Sequence, residues 1–315
     1  MAIRPAFLDK VQFGVESTFG TLVPANKQIM TYTAGGVQPI VALETIQPAG
    51  DLFPCGVSVG KRSGSLSLEG MMGYVAMLYA FASHYKVPVF SPSTTATITP
   101  AKGAANTPNF YTIEVGQAAA LCDRMLSCHC TDISLRFNLQ NPTMSVQWIG
   151  QDTAQGVTIT ASPTEHPCTV VTPKEWVFKV GATLGAIATL NKTTEVEFES
   201  SGRWENQFYA DSVALANEIR EGRPAIQVRF RGNWDSAYTT YFTQLVAGTR
   251  YIAQISCTSP DTAYTMTITM AGTFRPPQVG EADGLTQGTW TFIPEWDATL
   301  GYAISVVIKT TLTAL

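Results

Sequence analysis

The sequence predicts a mainly β protein, built as two β-sandwich or β-barrel domains with one flanking α-helix each. Three observations predict it. Apolar and polar residues alternate with period 2 through most of the chain, two segments carry helical spacing, and each of those follows an alternating run that ends in glycine. A length of 315 residues suits about two domains, each with a core of its own.

The alternation is clearest in Gly64–Glu69, where Leu66 and Leu68 oppose Ser65, Ser67 and Glu69. In Thr131–Gln140, Ile133, Leu135, Phe137 and Leu139 oppose Asp132, Ser134, Arg136 and Asn138, and Met144, Val146 and Trp148 continue after the turn signal Asn141-Pro142. Half-apolar strands of this kind belong to antiparallel sheets with one covered face. The second half repeats the grammar. Val177–Val180 and Ala186–Leu190 read as a hairpin, Val196 and Phe198 oppose Glu195, Glu197 and Glu199, and Ile226, Val228 and Phe230 oppose Gln227, Arg229 and Arg231. Tyr264–Met270, Thr289–Ile293 and Ala303–Thr310 add further strands.

The first helix is expected over Met71–Ala82, from Met71, Val75, Leu78 and Ala82. The second is expected over Trp234–Leu245, from Trp234, Tyr238, Tyr241, Phe242 and Leu245, with Asn233 or Asp235 as cap. The glycines before them, Gly70 and Gly232, lie 162 residues apart. At that offset Gly60, Leu66 and Leu68 match Gly222, Val228 and Phe230, and Tyr79 matches Tyr241. The repeat predicts a duplication, with domains 1–165 and 166–315 divided within the Pro- and Thr-rich stretch Ala161–Pro173. Two long stretches, Asn26–Gly60 and Ser200–Gly222, read as irregular. Their apolar content (Ile29, Met30, Val37, Ile40, Val41, Phe208, Tyr209) implies that something packs on them.

Charged residues make up 14% of the chain against the usual ~25%, with Thr, Ser, Gln, Gly and Pro filling the gap, which suits a surface largely covered by neighbours. A net charge of −4 argues against a protein that grips nucleic acid. The opening residues show no secretory h-region. The most apolar window, Met71–Ala82, has 12 residues and falls short of the ~20 of a bilayer span, so it reads as a buried helix and no membrane partner is expected.

Catalytic chemistry is hard to find. Cys128-His129-Cys130 has the look of a metal cluster, but no second Cys or His pair lies near enough in sequence to complete four ligands, and the thiols read as small packing groups. His84 and His166 stand outside any nucleophile motif. Glu195, Glu197 and Glu199 face a strand carrying Arg229 and Arg231, an arrangement that reads as cross-strand ion pairs. The chain is expected to be no enzyme and to use no cofactor. A carbohydrate-binding sandwich is an alternative, with Trp204, Trp290 and Trp296 as its candidate aromatics.

The N-terminal stretch VQFGVESTFGTLVPA, with Gly14, Glu16, Thr18, Phe19, Gly20 and Thr21, resembles the opening of the tail tube (major tail) proteins of long-tailed bacteriophages. The long stretch after it, then GKRSGSLSLEGMMGYVAMLYAF, then YTIEVG and CHCTDISLRFNL, resemble that family in order and spacing; the likeness is closer over 1–160 than over 175–315. It implies a structural virion protein made in the host cytoplasm, with tail-tube-like domains stacked in rings around a lumen for double-stranded DNA. Its partners would be copies of itself and other tail proteins. A tail terminator, baseplate hub or decoration protein is the neighbouring alternative.

If each domain gives ~4 strands, ~4.8 Å apart and tilted ~40°, each strand adds ~6.3 Å of circumference. Three domains close at roughly 24 Å, too narrow for a duplex ~20 Å wide once side chains intrude, while six close at roughly 48 Å. A duplicated chain therefore favours a trimer with pseudo-six-fold order over a hexamer. Ser65, Ser67, Glu69, Glu195, Glu197 and Glu199 are expected to face the lumen, and Ile29, Met30, Val37, Ile40 and Val41 to belong to a ring-stacking loop. Arg229 and Arg231 fit such a wall only if those glutamates pair with them.

Overall fold

The computed structural model describes residues 9–33, 35–46, 49, 53–117, 121–209, 215–234, 239–240, 243, 248–282 and 284–315. The chain is mainly β. The first half runs β1 (Lys10–Glu16), β2 (Lys27–Gln28), β3 (Tyr32–Thr33), β4 (Gln38–Ile46), β5 (Gly56–Met71), α1 (Tyr74–His84), β6 (Val89–Phe90), β7 (Thr95–Ile98), β8 (Phe110–Gly116), β9 (Cys122–Asn138), β10 (Thr143–Gly150), β11 (Asp152–Val157) and β12 (Thr164–Glu165). The second runs β13 (Trp176–Gly181), β14 (Ala188–Thr189), β15 (Thr193–Ser201), β16 (Trp204–Gln207), β17 (Glu218–Glu221), β18 (Ala225–Asn233), β19 (Tyr251–Thr258), β20 (Thr265–Ala282), β21 (Leu285–Pro294) and β22 (Ile304–Lys309).

Every strand foreseen from alternation is present, and the alternation fixes which side of each is covered. Leu66, Leu68, Ile133, Leu135, Phe137, Val146, Trp148, Val196, Phe198, Val228, Phe230, Trp290 and Phe292 are buried on one face. A second layer covers them. In the first half it consists of β1, β8, the start of β9, and β11. Phe13 of β1 and Tyr111 of β8 meet Trp148 edge-on, with ring centroids 5.6 and 5.8 Å away. In the second half it consists of β13, β19, the start of β20, and β22. There Phe178 lies 4.8 Å from Phe230, and Tyr251 lies 5.2 Å from Phe274. Offset and edge-to-face ring pairs of this kind add to area burial.

One pairing diagram occurs in both halves. β4, β5, β10 and β9 lie side by side in that order, as do β15, β18, β21 and β20. β9 and β20 are both long strands that leave this first sheet to enter the second layer. There β9 runs between β8 and β11, and β20 between β19 and β22. Both carry an irregularity in register where they pair with β10 or β21. Among the described residues two strand pairings join the halves, β9 with β15 and β7 of the first half with β22 of the second, and the bridge between Gly73 and Val170 adds to them.

Helix α1 is buried at each of its positions, where a flanking helix would keep one side in solvent. The reason is compositional: YVAMLYAFASH has no charged stripe to hydrate, and a helix apolar all round is driven inside. Its polar tips find partners. The Tyr74 hydroxyl donates to Glu175 at 3.1 Å, and Tyr79 Oη lies 2.9 Å from His166 Nε2. The second expected helix, Trp234–Leu245, falls mostly on residues outside those described; within it Thr239, Thr240 and Thr243 are helical.

The two stretches read as irregular hold strands, which corrects that expectation. Asn26–Gly60 contains β2, β3 and β4, and β4 forms a hairpin with the first half of β5, Leu43 opposite Val59 and Thr45 opposite Val57. Ser200–Gly222 contains the β16–β17 hairpin. Pro39 and exposure on both sides remove the alternation by which β4 would have been recognised.

Glu16, from the N-terminal motif, is buried. It accepts from the Thr112 hydroxyl at 2.7 Å, from the Ser127 amide at 2.9 Å and from the Ser127 hydroxyl at 2.6 Å. The Ser127 oxygen in turn accepts from the Gly20 amide at 2.6 Å. Ser127 has a φ of 48°, a left-handed conformation that ordinary residues avoid. The carboxylate thus holds a strained kink of β9 against the turn that follows β1. At Gly14 a Cβ would come within 2.4 Å of the Pro24 carbonyl oxygen, so that glycine is required by close backbone approach.

Candidate functional site

The eight strands β4, β5, β10, β9, β15, β18, β21 and β20 form one antiparallel sheet across both halves. Its uncovered face is where the structure brings together all six polar residues expected to share a wall. Ser67 stands opposite Gln147 and Glu69 opposite Ser145 on β10, which in turn places Ser145 opposite Ser134 of β9. Arg136 and Ser134 stand opposite Glu197 and Glu199, and these stand opposite Arg229 and Gln227. Since directly opposite residues point the same way in an antiparallel pair, the face is continuous from Ser65 to Thr291.

The charges at its centre are paired. Arg229 reaches Glu197 at 3.4 Å and Glu199 at 3.5 Å, and Arg231 reaches Glu195 at 3.8 Å. Arg136 also donates to Glu195, and Gln227 to Glu199. The Gln147 amide donates to the Ser67 hydroxyl at 2.9 Å. The expected cross-strand ion pairs are therefore formed, and Arg136, Arg229 and Arg231 present little unbalanced positive charge. The alternation puts Arg136 on the polar side without revealing its partner. That partner lies across the junction between the halves, which no local pattern reveals.

The five apolar residues assigned to a ring-stacking loop separate into two groups. Ile29 and Val37 are buried in the chain's own core. Met30, Ile40 and Val41 are exposed, the last two on the β4–β5 hairpin, where Leu43, Ile46, Val57 and Val59 are exposed as well. The β20–β21 hairpin likewise exposes Val279 and Leu285.

Of the other candidates, Trp296 is half-buried with the Lys102 ammonium 5.3 Å from its ring centroid, and the rest are buried. Trp204 and Trp290 are buried, which removes them as sugar-stacking surfaces; the Trp204 ring donates to the His84 carbonyl at 2.7 Å. Cys128 and Cys130 are buried free thiols, whose pKa values are raised by burial, and His129 is buried among them. Among the described residues no group of three or more His, Cys, Asp or Glu is placed to hold a metal ion. His84 links the halves. Tyr85 donates to Ser200 Oγ at 2.9 Å, Ser200 lies 2.7 Å from His84 Nε2, and His84 Nδ1 lies 3.1 Å from the Cys130 carbonyl, to which it must donate. That chain needs a neutral ring, and burial pushes the His84 pKa down to about 3. No described helix is long and apolar enough to cross a membrane.

No protein-family model and no curated protein matches the chain.

Proposed function

We propose that the chain is a tail tube subunit of a long-tailed bacteriophage, a structural virion protein. It assembles with copies of itself, and with other tail proteins, into stacked rings whose lumen passes double-stranded DNA. In this reading its work is mechanical, and no catalytic group or cofactor takes part. The observation that carries the reading is the eight-stranded sheet, with one face covered by the core, the other polar and charge-paired at its centre, and, among the described residues, an open edge at each end. Open edges invite pairing with another chain. A polar wall whose central cations are neutralised gives DNA phosphates little to hold. The pairing diagram found in both halves supports two duplicated tube domains, 1–165 and 166–315, and the exposed apolar hairpins supply surfaces for the next ring.

Size agrees with the reading. Three copies give 24 strands, and at ~6.3 Å of circumference per tilted strand the barrel is roughly 48 Å across at the backbone, wide enough for a duplex. Negative-stain imaging of the purified protein tests the function. Rings or tubes with a central opening are expected, with a ring mass of about 102 kDa, three times the 34.0 kDa chain. Particles that remain single chains at high concentration refute it, and rings that never stack place the chain among tail terminators.

A further inference from the structure

The sheet ends in two unlike edges, β3–β4 on one side and the second half of β20 on the other, and the molecule itself contains the joint that fits them. Strand for strand, β9 of the first half corresponds to β20 of the second, and β15 of the second to β3–β4 of the first. The register makes this specific. Ser145 pairs with Glu69 and with Ser134, while Thr289 pairs with Arg231 and with Gln278, so Gln278 stands where Ser134 stands. Gln227 pairs with Glu199, while the corresponding Ser65 pairs with Gln38, so Gln38 stands where Glu199 stands. Ser134 and Glu199 are opposite each other in the β9–β15 junction.

We propose that β20 of one copy pairs antiparallel with β3–β4 of the next, Gln278 opposite Gln38, in the register of the β9–β15 junction. The proposal rests on the reading of the chain as a ring-forming subunit. Three features of the edges support it. All seven pairings across the eight strands are antiparallel, so β20 and the next copy's β4 run in opposite directions, as β9 and β15 do. Leu135, opposite Phe198 in the junction, is 0% exposed, while its counterpart Val279 is 57% exposed in the single chain. The copied register sets Val279 against Val37 of the next copy, apolar on apolar. The junction ladder stops at Ile133 opposite Ser200, and the copied ladder at that step meets Pro277 opposite Pro39, neither of which has an N–H to donate. Because the new joint imitates the old one, each copy adds two equal turns, and closure at three copies makes six near-equivalent joints.

The test is a cysteine pair, Gln38→Cys with Gln278→Cys, in full-length protein carrying Cys55→Ser and Cys168→Ser to remove the exposed native thiols. After mild oxidation, a non-reducing denaturing gel is expected to show two- and three-chain species with nothing larger. Each single variant and the displaced pair Thr45→Cys with Gln278→Cys are expected to stay as one chain. Val279→Arg is expected to abolish rings with an unchanged melting temperature, since that side chain is exposed in the subunit. Rings that image normally but do not cross-link at this pair, or rings formed by the Val279→Arg protein, overturn the seam and leave the tube reading standing; a ladder that runs to six chains upholds the seam and overturns closure at three copies. Absence of rings in the unaltered protein overturns both.

Discussion

Glu16 has the chemistry of a functional carboxylate and the surroundings of a structural one. Its oxygens are saturated by Thr112 and by two groups of Ser127, all within the subunit. Glu16→Ala leaves the Ser127 amide buried without an acceptor and frees a left-handed kink. The expected loss is roughly 2–4 kcal/mol in a denaturant titration, with little change if Glu16 acts only on a partner. The buried histidines give a second prediction. Burial lowers His84 to about 3 and His129 to about 4, against an ordinary value near 6.5. Below about pH 6.5 the unfolded chain takes up protons that the folded chain refuses, so stability is whole above that pH and falls until about pH 4 for His129 and about pH 3 for His84, by up to ~1.4 kcal/mol per unit for each ring. Denaturation midpoints at pH 7, 6 and 5 should show a shallower slope for His129→Gln than for the unaltered protein. Equal slopes would remove His129 from the account.

At the level of elements, the proposed tube predicts that the β4–β5 hairpin, towards its tip, serves stacking and not ring closure. Its outer half is exposed on both faces and apolar at Leu43, Ile46, Val57 and Val59, an arrangement unfavourable in water unless another surface covers it. Replacing these four with serine should leave single rings intact and shorten or abolish tubes, read by sedimentation and imaging; tubes of normal length would assign stacking elsewhere. The same hairpin shows where the sequence stops being legible. Strands such as β15 and β18 announce themselves because one face is covered, so Val196 and Phe198 must alternate with glutamates. β4 has no covered face, contains Pro39, and so carries no period to read. The polar wall was legible strand by strand for the same reason. The joint between β9 and β15 was not, since it brings together residues 59 apart, Arg136 and Glu195, whose meeting depends on the whole chain path. Helix α1 was legible as a helix, though its complete enclosure follows from β7 and β22 closing over it, a long-range event.

For the whole molecule, the proposed conduit stands or falls on how weakly the polar face would hold a duplex passing along it. Across the polar face Glu69, Asp132, Glu195, Glu197 and Glu199 stand against Arg136, Arg229, Arg231 and Arg275, and the central arginines are each within reach of a carboxylate. Individually such half-exposed pairs stabilise the fold by only ~0.2–1 kcal/mol, so stability gives little reason for them. Their collective effect on a polyanion is larger, because each arginine freed from its glutamate becomes available to a phosphate. Glu195→Gln, Glu197→Gln and Glu199→Gln together should therefore convert an inert wall into one that holds DNA. Assembled tubes of the triple variant are expected to retain duplex DNA in low salt. For every three phosphates contacted, affinity should drop roughly 40-fold between 50 and 200 mM salt. Unaltered tubes should retain none under either condition, as judged by co-sedimentation of labelled DNA. If the triple variant assembles and still holds no DNA, this face does not line the channel. The sheet would then have to close with its polar side outward, which its apolar core on the other face forbids, and the conduit reading would fall with it.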